Sequence, residues 1–131
     1  MSIDNNLYKK SIKILTDLIA FKTISGQDNS NLIDYCEKIL NNIGINTFKV
    51  YDDDKKRVNL FGTLKAKNQI TKKPIILSGH TDVVPVSKGW SSDPFVATIK
   101  NDKLYGRGSC DMKGFIAVSY THLTLPTTVI V

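Results

Sequence analysis

The chain has 131 residues, 41% of them hydrophobic and 23% charged, with a formal net charge of +6 from 18 Lys+Arg against 12 Asp+Glu. That length suits one domain able to bury roughly 65–70% of its unfolded surface. The cations are nearly all lysines scattered along the chain, not gathered with aromatics that could stack bases, which argues against a nucleic-acid partner. No stretch approaches the ~18 apolar residues of a membrane span.

Cys36 and Cys110 lie far apart and form neither a CxxC pair nor a disulfide framework. The start, MSIDNNLYKK, lacks the apolar run of a signal peptide, so a cytoplasmic, reduced setting is expected. Residues 7–21 place Tyr8, Ile12, Leu15, Leu18 and Ile19 at helical spacing, with lysines opposite. Turn formers from Thr23 to Asp28 break this helix. Leu32, Ile33, Cys36, Ile39, Leu40 and Ile43 then resume the helical period until Gly44 stops it. Cys36 on that stripe reads as a buried structural thiol.

From Ile45 to Tyr51 the pattern alternates, which predicts a half-buried strand. The acidic run Asp52–Asp54, next to Lys55–Arg57, reads as a solvated turn and not as a cation site, because adjacent side chains diverge and the cations compensate them. Val58–Leu64 predicts a second strand, Lys65–Lys73 an exposed loop, and Ile75–Leu77 a buried third strand delivering His80, Thr81 and Asp82 into a turn closed by Pro85. Trp90–Phe95 is an irregular loop with bulky anchors. Val96–Ile99 and Lys103–Tyr105 flank a hairpin turn, and the glycine-rich stretch Gly106–Gly114 leads into the helix-compatible Phe115–Val118. Two helices followed by strands predict an α/β or α+β layer domain.

Two stretches carry chemistry. In the first, Asp82 is placed two residues after His80; a ligating imidazole commonly donates its second N–H to a carboxylate, which fixes the tautomer. The spacing leaves direct ligation by Asp82 open as well. In the second, Gly106-Arg107-Gly108 lacks the third glycine and the Gly-Lys-Ser/Thr ending of a nucleotide loop. Cys110 as a nucleophile would need a histidine base in reach, and the one well-placed histidine, His80, competes for the metal reading.

Taken together and in order, SGHTDVVPV, WSSDPF and GRGSCDMKG resemble the zinc-dependent amidohydrolase/peptidase family of acetylornithine deacetylase, succinyl-diaminopimelate desuccinylase and the glutamate carboxypeptidases. The Ser109-Cys110 pair and the WSSDPF loop are most similar to acetylornithine deacetylase. The resemblance covers roughly the first helix to Ser119. It implies a partial three-layer, zinc-peptidase-like catalytic domain with two N-terminal helices and an incomplete mixed sheet. It further implies His80 as a metal ligand, Asp82 as its orienting partner, Asp111 as a carboxylate bridging two zinc ions, and a cis peptide bond at Asp111-Met112. Zinc is the implied cofactor, with cobalt also compatible. The implied partner is a small N-acyl amino acid, N-acetyl-ornithine in the first place, and the implied full-length enzyme is a homodimer.

The chain departs from that family in one respect that matters chemically. The family uses a pair of adjacent glutamates, one as general base and one as ligand, whereas Glu37 is the single glutamate here and lies on the second helix. Residues 1–119 therefore read as the N-terminal part of a metallohydrolase catalytic domain, expected to be inactive alone. Residues 120–131, rich in β-branched side chains and carrying Pro126, read as an atypical tail, foreign or frame-shifted, in which His122 is not a ligand. The alternatives are a desuccinylase or dipeptidase of the same family, or a non-catalytic binding module.

Overall fold

The computed structural model describes residues 5–65 and 73–123. The first four residues of the start that lacks a signal-peptide run, most of the expected 65–73 loop and the tail beyond Leu123 lie outside the described residues.

Helix α1 spans Asn5–Ala20 and α2 spans Ser30–Asn42. Strands β1 (Asn46–Tyr51) and β2 (Val58–Thr63) pair antiparallel, with Tyr51 opposite Val58 and Asn46 opposite Thr63. Asp52 closes the connection, its Oδ1 accepting from Lys56 N at 2.9 Å and Arg57 N at 3.0 Å. These backbone hydrogen bonds, with the Arg57 side chain, hold its carboxyl below the usual range, and the run forms the expected solvated turn. Strands β3 (Thr98–Lys100) and β4 (Lys103–Tyr105) form a second hairpin. Its turn residues Asn101 and Asp102 have φ of 51° and 56°, the left-handed pair that matches the twist of a two-residue hairpin. Helix α3 spans Gly114–Leu123.

The core lies between the helices and β2. Leu18 and Ile14 of α1, Leu32, Ile33 and Cys36 of α2, Val58 of β2 and Ile116 and Ala117 of α3 are buried together. Burial pushes the Cys36 thiol up to about 11, in keeping with a structural role. Helix α3 continues four residues past Ser119, contrary to the expectation from its β-branched content. Thr121 explains this: it is fully buried, and its hydroxyl lies 2.9 Å from Ser11 Oγ on α1 while donating to Val118 O. Tertiary contact outweighs a helix propensity that differs from alanine by only ~0.7 kcal/mol.

The α/β composition is as read from the sequence, with the strands in two separate antiparallel pairs. The third strand requires correction. Residues 75–80 carry no ladder, and Ile75 and Ile76 are 90% and 84% exposed. Apolar residues form a buried strand only where neighbouring strands accept their backbone hydrogen bonds. Among the described residues none flanks this segment. The first pairing downstream is a single parallel bridge between Ile24 and Val83.

Candidate metal centre

The site forms where three connections converge. The loop between α1 and α2 is laced to the His80–Val83 turn by main chain: Ser25 N donates to Val83 O at 3.0 Å and Val83 N to Thr23 O at 2.8 Å. Thr23 Oγ1 adds a bond to Thr81 O at 2.6 Å, and Asn29 Nδ2 reaches both Val58 O and Thr81 Oγ1. The third connection is the irregular turn Ser109–Lys113, in which Asp111 and Met112 leave helical geometry across a cis peptide bond. That cis bond is at the position implied by the family resemblance.

Two glycines let these segments approach. Gly108 has φ of +80°, and a Cβ there would stand 2.6 Å from the Val83 side chain; a Cβ on Gly114 would stand 2.4 Å from Ser109 O. Lys113 anchors the turn from beneath. Fully buried, it donates through Nζ to Leu18 O and Phe21 O, both at 2.8 Å, at the carbonyl end of α1, and burial pushes its ammonium down to about 8.

His80 stands between two carboxylates. Its Nε2 lies 2.9 Å from Asp111 Oδ1, and its Nδ1 lies 3.0 Å from the Asp82 carbonyl and 3.4 Å from Asp82 Oδ1. Both ring nitrogens thus face acceptors. Partial burial works against the charged ring, but the hydrogen bonds to Asp111 and to the Asp82 carbonyl prevail and raise its pKa. The Asp111 side chain is 86% exposed, and among the described residues its Oδ2 takes no hydrogen bond. Behind Asp82, Ser25 Oγ donates to Oδ2 at 2.5 Å. Ser25, His80, Asp82, Arg107, Cys110 and Asp111 are among the residues lining an open cavity of about 270 Å³.

The structure therefore brings together His80, Asp82 and Asp111, the three residues expected from sequence, with Asp82 at one ring nitrogen and Asp111 at the other. The donor chemistry fits a divalent cation: a cation can take the place of the Nε2 proton between an imidazole and a carboxylate with free lone pairs, while a carbonyl and a carboxylate hold Nδ1–H. Among the described residues no group of three or more His, Cys, Asp or Glu is arranged to hold a metal. Thr23 and Ser25 escaped the sequence reading, which took Thr23–Asp28 as a helix break, and Asn29 just beyond it escaped as well. The alternation of Thr23 and Ser25 about Ile24 is the period of an extended segment and was the available signal. Arg107 was read only as part of a glycine loop. Its guanidinium lies over the Trp90 ring, 5.1 Å from the centroid, and donates to Pro85 O, tying the loop anchors to the site.

The His80–Val83 turn and a glycine-rich turn converge on one imidazole flanked by two carboxylates, and comparison with known proteins points the same way. Residues 76–125 match the model of Peptidase family M20/M25/M40. The chain is 38% identical over 125 residues to the probable carboxypeptidase S-like 1 of Dictyostelium discoideum, covering 86% of this chain and 26% of that protein. It is 37% identical over 112 residues to the succinyl-diaminopimelate desuccinylase of Orientia tsutsugamushi strain Boryong, covering 83% and 28%. Against the acetylornithine deacetylase of Myxococcus xanthus it is 39% identical over 106 residues, covering 79% and 27%. The crystal structure of human carnosine dipeptidase 1 superposes with a TM-score of 0.67 at 25% identity, covering 86% of this chain and 28% of that one. The chain is thus similar to the M20/M25/M40 peptidases over residues 76–125 and to proteins named as a desuccinylase, a deacetylase and a dipeptidase. It spans about a quarter of the length of these curated relatives.

Proposed function

We propose that this chain carries the first ligands of a zinc-dependent amide hydrolase, with His80 and Asp111 holding metal and Asp82 orienting His80. The observation that carries this reading is the pairing of His80 Nε2 with Asp111 Oδ1 at 2.9 Å, with Asp82 at the opposite nitrogen. The chemistry zinc supplies at such a site is Lewis-acid activation of water and of an amide carbonyl, and a second ion bridged through Asp111 would share that work. Cobalt suits the same ligands. The chain's own contribution is to hold an imidazole in one orientation and to present an exposed carboxylate at the mouth of a cavity.

For the complete protein the proposed reaction is hydrolysis of N-acetyl-ornithine to a free amine and acetate, in a homodimer. The WSSDPF loop and the Ser109-Cys110 pair support the deacetylase over a desuccinylase or dipeptidase. Glu37 is the single glutamate and is tied to Lys49, so among the described residues no glutamate stands near His80 to act as general base. The 131-residue chain should therefore bind zinc weakly and turn over no amide, since catalytic zinc sites use three protein ligands. Zinc titration of the chain and of His80→Ala, beside an assay with N-acetyl-ornithine and N-succinyl-diaminopimelate, tests this. Equal zinc binding by both proteins would remove His80 from the site, and turnover by the chain would overturn its inactivity. Sequencing downstream of Ser119 for a Glu-Glu pair, then assaying the longer product on the two substrates, decides the substrate; an uninterrupted natural gene ending at Val131 would refute the foreign-tail reading.

A further inference from the structure

The α1–α2 loop is docked on the His80 turn more firmly than its composition suggests, and one of its bonds is not needed for docking. Ser25 N to Val83 O, Val83 N to Thr23 O and Thr23 Oγ1 to Thr81 O hold the loop without the Ser25 side chain. A serine hydroxyl has one proton to donate. At Ser25 two acceptors lie in range: Val83 O at 3.4 Å and Asp82 Oδ2 at 2.5 Å. The shorter bond to a charged acceptor is the stronger, so the proton goes to Asp82. The Asp82 side chain is 49% exposed, and a carboxylate so placed would otherwise turn toward water. With Oδ2 engaged by Ser25, Oδ1 faces His80 Nδ1 at 3.4 Å, beside the Asp82 carbonyl at 3.0 Å, while Asp111 Oδ1 faces Nε2 at 2.9 Å.

We propose that Ser25 is a positioning residue of this centre: its hydroxyl fixes the Asp82 carboxylate so that, together with the Asp82 carbonyl, it favours the proton on His80 Nδ1 against the pull of Asp111 on Nε2, the tautomer a metal at Nε2 requires. The inference rests on the reading of His80 as a ligand, and it extends the site to the loop after α1, a segment 55 residues upstream in sequence. Any hydroxyl at this position suffices, so threonine should serve in place of serine, whereas alanine should not.

The test uses the whole 131-residue chain and its Ser25→Ala and Ser25→Thr variants. Long-range proton–nitrogen correlation spectra, recorded where the His80 ring is neutral, report the ratio of its two tautomers, and calorimetry with zinc chloride reports affinity. Ser25→Ala should move the ratio toward Nε2–H and weaken zinc binding about ten- to hundredfold. Ser25→Thr should restore both. A ratio that stays unchanged or moves the other way in Ser25→Ala, or one that Ser25→Thr does not restore, overturns the proposal. If the parent chain binds no zinc while the ratio still moves and is restored, the metal reading fails and the positioning role stands. Should Ser25→Ala not fold, Ser25→Cys, with its weak S–H donor, gives the same comparison.

Discussion

Lys113 and Leu18 are joined across 95 residues, the buried ammonium donating 2.8 Å to the Leu18 carbonyl as well as to Phe21 O. The contact closes the exposed end of α1 and seats the turn that carries Asp111. Lys113→Met keeps the apolar stem and removes the donor, leaving Leu18 O and Phe21 O with only their main-chain partners, Phe21 N and Thr23 N. We expect a loss of about 1.5–3 kcal/mol in unfolding free energy, the range for a hydrogen bond to a charged group, measured by urea denaturation. An unchanged midpoint would mean that water replaces the ammonium.

Cys36 and Cys110 should separate in reactivity. Cys36 is buried with its thiol raised to about 11, whereas Cys110 is exposed. At pH 8 one equivalent of iodoacetamide should label Cys110 alone, read by peptide mass, and Cys36 should react only on unfolding. Because the folded pKa is raised, the Cys36 contribution to stability is fully present below the unfolded thiol pKa and is lost as pH rises through about 11. Cys36→Ala should flatten that alkaline decline.

Ile76→Lys distinguishes an exposed segment from a buried strand. With Ile76 84% exposed, the substitution should shift unfolding by no more than about 0.5 kcal/mol. It should also raise the protein concentration at which light scattering begins, since a charge disfavours edge-to-edge pairing of an extended apolar segment. A large drop in stability would place Ile76 inside a sheet.

Phe48 and Phe61 form a stacked cross-strand pair, centroids 4.9 Å apart, on the outward face of β1 and β2. Phe61→Ala should destabilise the hairpin by about 0.5–1.5 kcal/mol beyond its small change in burial. Faster exchange of the β1 and β2 amides than of those in α3 would localise the effect.

Local pattern determined much of this molecule. Helical periods set α1 and α2 and the Asn101-Asp102 turn set the second hairpin, because each depends on neighbours within a few residues, while the resemblance of the motifs holding His80, Asp82 and Asp111 to a known family named the candidate ligands. Sequence misjudged Ile75–Leu77, since an apolar run reports a preference for burial but not whether strands stand on either side to satisfy its backbone. It also misjudged the end of α3, where Thr121 finds Ser11 on a distant helix. The approach of Asp111 to His80, the Ser25 hydroxyl behind Asp82 and the Lys113 anchor under the turn were decided only by tertiary structure. Each joins residues more than thirty positions apart, and such bonds exist only once the intervening chain has packed.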